Sequence, residues 1–173
     1  MPATRQDLFA RLAALAIETE TKEHAAVFTV AESDALHKEL PGGHTKNLFL
    51  KDAKGRLFLI VAESHAVIDM KTLHKTIGCA RLSFGKPDLL MERLGVTPGS
   101  VTAFAVMNDH DGDVTVFIDD ALLQYDIINC HPMENTATTA IRREDLVRFL
   151  KETGHEPHGI SLSHSPDPGH AEA

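Results

Sequence analysis

Cysteine is nearly absent from this chain: Cys79 and Cys130 stand far apart and in no paired metal-ligand spacing. That scarcity argues against a disulfide framework and a zinc site, and fits a reducing compartment, so a cytoplasmic location is expected. An unbroken apolar run is missing too. The N-terminal stretch MPATRQDLFARLAALAIETE is interrupted by Arg11 and has no basic flank, which predicts neither an export signal nor a membrane span. No dinucleotide-type glycine fingerprint or phosphate-binding loop occurs, which sets aside the common nucleotide-dependent enzymes, and no cofactor is expected.

Positive charge is also in short supply, since the net charge is -8. A protein that coats DNA or RNA through many phosphate contacts would not carry that balance. The layout is uneven, however. Between His44 and Lys86 lie eight basic residues (Lys46, Lys51, Lys54, Arg56, Lys71, Lys75, Arg81, Lys86) against Asp52, Glu63 and Asp69, a local balance of +5 that leaves -13 for the rest. One sector could face phosphates, and ordinary solvated lysines would read the same way.

What is present is enough hydrophobic sequence, 43% of 173 residues, for one domain with a core. The domain is placed at residues 1–162, with a disordered His-, Pro-, Gly- and Ser-rich tail at 163–173. Thr4 caps a helix with a stripe of Leu8, Leu12 and Leu15. A strand is expected at His24–Val30 and a helix at Ala31–Leu40, stopped by Pro41-Gly42-Gly43. Two strands, Lys46–Leu50 and Leu57–Ala62, flank a turn at Gly55. Helices are expected at Asp69–Ile77 and Pro87–Leu94, the second closed by Gly95. A Pro98-Gly99 turn leads to a strand at Val101–Met107, and a hairpin turn at 109–113 to another at Val114–Ile118. A short helix near Ala121–Tyr125, strands at Ile127–Cys130 and Thr136–Ile141, a helix at Arg143–Glu152 and a last short strand complete the chain. Hairpins outnumber long crossovers, so the fold class is α+β: a mixed, largely antiparallel sheet surrounded by helices.

Several residues invite chemistry. Asp109-His110-Asp111-Gly112-Asp113 lacks the glycine and glutamate positions of a calcium loop and reads as a turn. His155, His158, His164 and His170 read as solvated surface. Cys130 and His131 point to opposite faces of a strand and cannot readily form a dyad. In His131-Pro132 the proline withholds a strand hydrogen bond, so a local break could aim His131 into a cavity, the alternative being a core histidine bonded to backbone. Lys46 opens an apolar strand, where an ammonium group needs a rim position or an anionic partner. The segment from Gly95 to Ser100 sets two glycines around a proline, leaving turn N–H groups able to approach a carbonyl.

Four blocks in order resemble the prolyl-tRNA editing family, the YbaK/ProX-like aminoacyl-tRNA deacylases, over most of the chain. They are His44 to Leu50 (HTKNLFL), Leu94 to Thr102 (LGVTPGSVT), Asn108-Asp109 with Val114 to Leu122, and His131 to Thr138 (HPMENTAT). The resemblance implies a catalytic role for Lys46 and Asn47, a substrate pocket walled by Gly99, Ser100, His131 and Pro132, and a contact from Arg81 to the tRNA acceptor end. No metal is implied. Many relatives carry glycine where this chain has Cys130, which bears on pocket volume. The resemblance further implies a stand-alone deacylase acting in trans on mischarged tRNA, most similar to those that clear alanine from tRNA for proline. The substrate's ribose hydroxyl would assist, and prolyl-tRNA synthetase is a candidate partner. Deacylation of cysteinyl or seryl esters, and a non-catalytic tRNA- or synthetase-binding module, are the alternatives.

Overall fold

The computed structural model describes residues 1–26 and 30–165. Thr4 caps α1 (Arg5–Ala14) through a reciprocal capping box with Asp7, and Leu8 and Leu12 enter the core. The chain then forms β1 (Thr19–Glu23), α2 (Val30–Glu39), β2 (Gly43–Asp52), β3 (Leu57–Glu63), β4 (Ala66–Val67), α3 (Leu73–Ile77), β5 (Leu82–Phe84) and α4 (Pro87–Leu94). Three short 3-10 helices, Pro98–Ser100, Ala103–Asn108 and Leu122–Gln124, alternate with β6 (Val114–Asp119) and β7 (Ile127–Cys130). The order closes with β8 (Ala137–Arg142), α5 (Arg143–Glu152), β9 (His158–Ile160) and β10 (Ser163–His164).

The main sheet runs β1-β8-β7-β2-β3-β6-β9, with β5 also on β2. Its β1–β8, β7–β8, β2–β3 and β2–β5 pairs are antiparallel, and β2–β7, β3–β6 and β6–β9 are parallel. The expected mixed sheet with helices around it is therefore present. β3 reads LFLIVAE and is buried along its whole length, because the sheet is covered on both faces. One core packs Phe104 edge-on to Phe149 with Leu12, Leu59 and Leu94; the other, on the opposite face, gathers Leu50, Phe58, Ile60 and Leu73.

Several elements differ from the sequence expectation. Val101–Met107 is not a strand: Ala103 to Val106 form a 3-10 helix buried on all sides, and a continuous apolar run does not distinguish the two by period. The turn at 109–113 accordingly joins a 3-10 helix to β6 and closes no hairpin. Only Leu73–Ile77 of the expected third helix is helical, preceded by a turn around Asp69. The strand expected at His24–Val30 falls partly on 27–29, outside the described residues, and His24–Ala26 are not strand; instead Thr19–Glu23 pairs with β8. That segment reads TETKE, whose charge hides it from hydropathy but suits an exposed edge strand.

The histidine-rich end also departs from solvated surface. His155 is 4% exposed and its Nε2–H donates to Asp109 Oδ2 at 2.8 Å; His164 donates to the buried Asp119 carboxylate at 2.7 Å. The chain doubles back as β9 beside β6, and Ser163 and His164, assigned to the tail by composition, pair with Val67 and Ala66. His158 is exposed beside the Phe117 ring, and His170 lies outside the described residues.

Candidate active site

The sheet splits at β2. One edge of β2 pairs with β3 from Thr45 to Lys51. On the other edge β7 pairs only at Gly43 and His44, and β5 only from Leu50 to Asp52. Among the described residues no strand covers that edge over Thr45–Leu48, the stretch holding Lys46 and Asn47. Strand alternation sends these two side chains to opposite faces. Lys46 shares its face with Leu48 and Leu50, and its Nζ donates to the carbonyl oxygen of Ala66. Asn47 shares its face with Thr45 and Phe49, and its Oδ1 is buried without a partner among the described residues. An unmet buried acceptor costs on the order of 1–3 kcal/mol, and unmet groups in native folds are commonly reserved for a ligand.

His131 and Pro132 follow β7 directly. The parallel pairing of β7 with β2 stops at His44↔Asn129, one residue before β7 ends. Thr45 is still tied to this end of β7: its hydroxyl donates to the Asn129 carbonyl at 2.8 Å and also bonds the Cys130 side chain. His131 Nδ1 bonds the Ala137 carbonyl at 3.2 Å, so that nitrogen carries the proton. Burial lowers the His131 pKa, against that bond, and the neutral ring keeps an acceptor lone pair on Nε2.

After the buried Pro132 comes Met133 at φ 70, a left-handed conformation rare outside glycine. Such outliers concentrate at functional sites, and no sequence signal announces this one. The bend carries the chain to an open cleft of about 380 Å3 lined by Val96, Thr97, Ser100, Met133, Asn135 and Thr136 among others. Two connections approach each other here: a Cβ built on Gly99 would lie 3.3 Å from Asn135 Nδ2, while His131 and Pro132 do not line the cleft. The Ser100 N–H is spent on Thr97 O at 2.9 Å, so this amide is not open to a substrate carbonyl. Among the described residues no hydrogen bond links Lys46, Gly99 and His131, and neither Lys46 nor His131 lines this cleft. A larger groove, of about 890 Å3 between α1, β1 and the β7–β8 pair, is lined by none of the expected site residues. Arg81 is exposed at the start of β5, on the far side of the gap in β2.

Other groups near Lys46 escape sequence reading. Glu63, opposite Thr45 in the hairpin, accepts from His65 Nδ1 at 2.7 Å, one residue from the Ala66 carbonyl that holds Lys46. Thr102 is fully buried just after the Gly99 turn, its hydroxyl without a partner among the described residues, and His24 bonds Thr138 at 2.8 Å in the strand that follows His131. Glu63 is brought opposite Thr45 by strand pairing, which spacing along the chain does not disclose.

Two expectations follow from the protonation chemistry. Burial pushes the Cys130 thiol up to about 12 despite its bond to Thr45, so it is not a nucleophile at neutral pH. Native protein treated with iodoacetamide at pH 8 is expected to stay unmodified at Cys130 and to react there after denaturation; a native adduct on Cys130 would contradict its burial. On α2, His37 stacks on His44 with ring centroids 3.9 Å apart, and His44 Nε2 bonds the Leu40 carbonyl. Burial, then the neighbouring His44, bring the His37 pKa down to about 4, and burial also lowers that of His44, with Asp34 and Glu63 opposing and His65 reinforcing. Unfolded histidines titrate near ~6.5, so below that pH the unfolded chain binds more protons and folding loses stability. The contribution is complete above about pH 6.5 and drains away as the pH falls toward 4. Hydrogen exchange, corrected for intrinsic rates, should therefore speed up in α2 relative to β3 between pH 7 and pH 5; an unchanged ratio would refute this.

The comparison with known proteins shows the family. A family model described as an aminoacyl-tRNA editing domain matches residues 24–149. The chain belongs to the aminoacyl-tRNA editing family. It is an aminoacyl-tRNA deacylase by that membership, and its substrate is an aminoacyl-tRNA. The prolyl-tRNA editing protein ProX of Acetoanaerobium sticklandii is 38% identical over 159 residues, covering 91% of this chain and 97% of the relative. The prolyl-tRNA synthetase associated domain-containing protein 1 of Bos taurus is 41% identical over 158 residues, covering 88% and 92%. A crystal structure described as a candidate trans-editing enzyme for prolyl-tRNA synthetase superposes with a TM-score of 0.69 at 17% identity, covering 92% of this chain and 98% of that one. At that identity the superposition speaks for the fold. Among the described residues no helix of the editing domain is long and apolar enough to cross a membrane.

Proposed function

We propose that this editing domain removes alanine from tRNA for proline, acting in trans on tRNA released by the synthetase, with prolyl-tRNA synthetase as its functional partner in a reducing cytoplasm. The observation that carries the reading is the uncovered stretch of β2, where Lys46 and the unsatisfied Asn47 Oδ1 stand at the gap between β7 and β5. A proline-sized synthetic site cannot exclude the smaller alanine, so a second sieve is the physical remedy.

In this reading residues 1–162 act as one editing unit. Lys46 spends one proton on Ala66 and has two more to donate, enough to hold a phosphate or ribose oxygen of the terminal nucleotide. Asn47 Oδ1 accepts from the ester end, for instance from the α-ammonium group. The Gly99 turn and His131-Pro132 wall the aminoacyl group, Ser100 supports the turn, and Arg81 meets the acceptor stem. His131 is an acceptor in this wall and not a general base. Water attacks the ester carbonyl, the vicinal ribose hydroxyl assists its deprotonation, and the C–O bond to the ribose breaks to release free alanine. Positioning of this kind supplies on the order of 7–11 kcal/mol in favourable cases, so no protein triad is required.

The test is a hydrolysis panel of alanyl-, cysteinyl-, seryl- and prolyl-tRNA with the purified chain. Alanine on tRNA for proline should disappear fastest, with the prolyl ester spared. Persistence of the alanyl ester while another disappears overturns the alanine assignment, and no acceleration of any ester would leave a non-catalytic module in its place.

A further inference from the structure

Phe84 is an unexplained residue on this fold. It is 60% exposed, the most exposed large apolar side chain of the described residues after Met1. It ends β5, which pairs with β2 on one side only, and its partner there is Leu50. The connection after it is pressed flat onto the sheet: Gly85 N–H donates to the Phe49 carbonyl at 2.9 Å, and a Cβ at Gly85 would stand 2.3 Å from the Phe49 ring. Only glycine fits at position 85, which fixes the backbone directly after the exposed Phe84.

Its surroundings are cationic. Arg81, just before β5, and Lys86, at the cap of α4, are exposed and form no ion pair among the described residues; Lys51 is exposed too, but it pairs with Ser83 and so belongs to the opposite face. The nearest acid on β2, Asp52, is buried and spent on the amides of Lys54, Arg56 and Ala80 and on the Arg56 guanidinium. Asp88, in the first turn of α4, is the one exposed carboxylate close by in sequence. An exposed aromatic ring among unpaired cations is the chemistry that binds single-stranded nucleic acid, the ring stacking on a base and the cations taking phosphates.

The sheet supplies a ruler. Lys46, Leu48 and Leu50 share one face of β2, and the register Leu50↔Phe84 puts Phe84 on that face. Four residues of strand separate the level of Phe84 from that of Lys46, about 13 Å. We propose that Phe84 is a stacking platform for an unpaired base of the tRNA 3′ end, upstream of the terminal ribose held at Lys46, with Arg81 and Lys86 gripping the adjoining phosphates. This assignment rests on the aminoacyl-tRNA reading of the Lys46 site and extends it to the substrate's single-stranded end.

Two probes test it: a fluorescent RNA minihelix ending in unpaired CCA, and the same minihelix cut back to a blunt end. Wild type, Phe84→Ala, Phe84→Trp and Arg81→Ala are compared by anisotropy at one salt concentration, with thermal melting to show that each is folded. Phe84→Ala should weaken binding of the CCA-ended RNA about ten-fold or more and leave blunt binding nearly unchanged, while Phe84→Trp should restore it. In deacylation the loss should fall on KM, with kcat held within about two-fold. Equal CCA binding by wild type and Phe84→Ala overturns the proposal, as does an equal loss on both RNAs or failure of the Trp variant to rescue. Loss of self-association in gel filtration with RNA binding intact would assign the patch to a second copy of the chain and also overturn it. Wild-type hydrolysis distinguishes the two readings: if the ester is cleaved and Phe84→Ala changes nothing, only the platform fails, whereas if no ester is cleaved the catalytic reading fails first.

Discussion

Replacing Lys46 with alanine is expected to lower kcat/KM for alanyl-tRNA hydrolysis by at least about a hundred-fold while leaving the melting temperature within a few degrees of wild type. Lys46 lies on the stretch of β2 with one uncovered edge, and its one side-chain hydrogen bond among the described residues is to the Ala66 carbonyl. Ala66 is 3% exposed, so the variant leaves that acceptor short of a partner, at a modest cost in stability. The catalytic loss is larger because an ammonium group fixing a phosphate or ribose oxygen works through orientation, and misplacement by about 1 Å costs on the order of a hundred-fold. Lys46→Arg discriminates further: its planar guanidinium keeps the charge but not the reach, so it should recover less than a tenth of the rate. Single-turnover hydrolysis at saturating enzyme measures both. A Lys46→Ala enzyme within five-fold of wild type would remove Lys46 from the site.

Asp109→Ala should be the most damaging single change to the fold among those considered. Its carboxylate accepts from the amides of Asp113 and Val114 and from His155 Nε2, and both side chains of the pair are almost wholly buried, at 2% and 1% exposed. Removing one member of a buried pair costs about 3–5 kcal/mol, since the remaining group is left in an apolar setting. For a domain of this size each kcal/mol shifts the melting temperature by about 2–4 °C, so a drop on the order of 10 °C is expected by calorimetry. A shift below about 3 °C would show that the pair contributes little. His155→Ala should show a related loss, because β9 reaches β6 through the same corner.

These two residues mark what the sequence could and could not disclose. Elements with a strong local signal were legible: the Thr4 box and Leu8–Leu12 stripe announce α1, Gly95 at φ 67 closes α4, and Gly55 at φ 85 turns the β2–β3 hairpin. Those held by tertiary pairing were not. TETKE is a strand only because β8 lies beside it, and Ala103–Val106 is helical only because it is enclosed from every side. His155 looked like tail because its partner, Asp109, is distant in sequence. The candidate site divides the same way. Lys46, Asn47 and His131 stood out by residue type and by the family blocks, but the split of β2 between β7 and β5, which leaves Lys46 and Asn47 on an uncovered stretch, depends on strand pairing that no local pattern encodes. Met133 is less legible still, since an unbranched methionine carries no signature of a left-handed backbone.

The shared strand also divides the protein's labour. Lys46 and Asn47 sit on a backbone clamped from one side by a seven-residue antiparallel ladder, so they resist displacement. The surfaces proposed to judge the size of an amino acid, the Gly99 turn and the loop from Met133 to Thr136, belong to connections outside that ladder. Mutation can lengthen, stiffen or fill these connections without loosening the strand beneath them. A scaffold arranged in this way can drift from one small amino acid to another while its bond-breaking machinery is inherited intact.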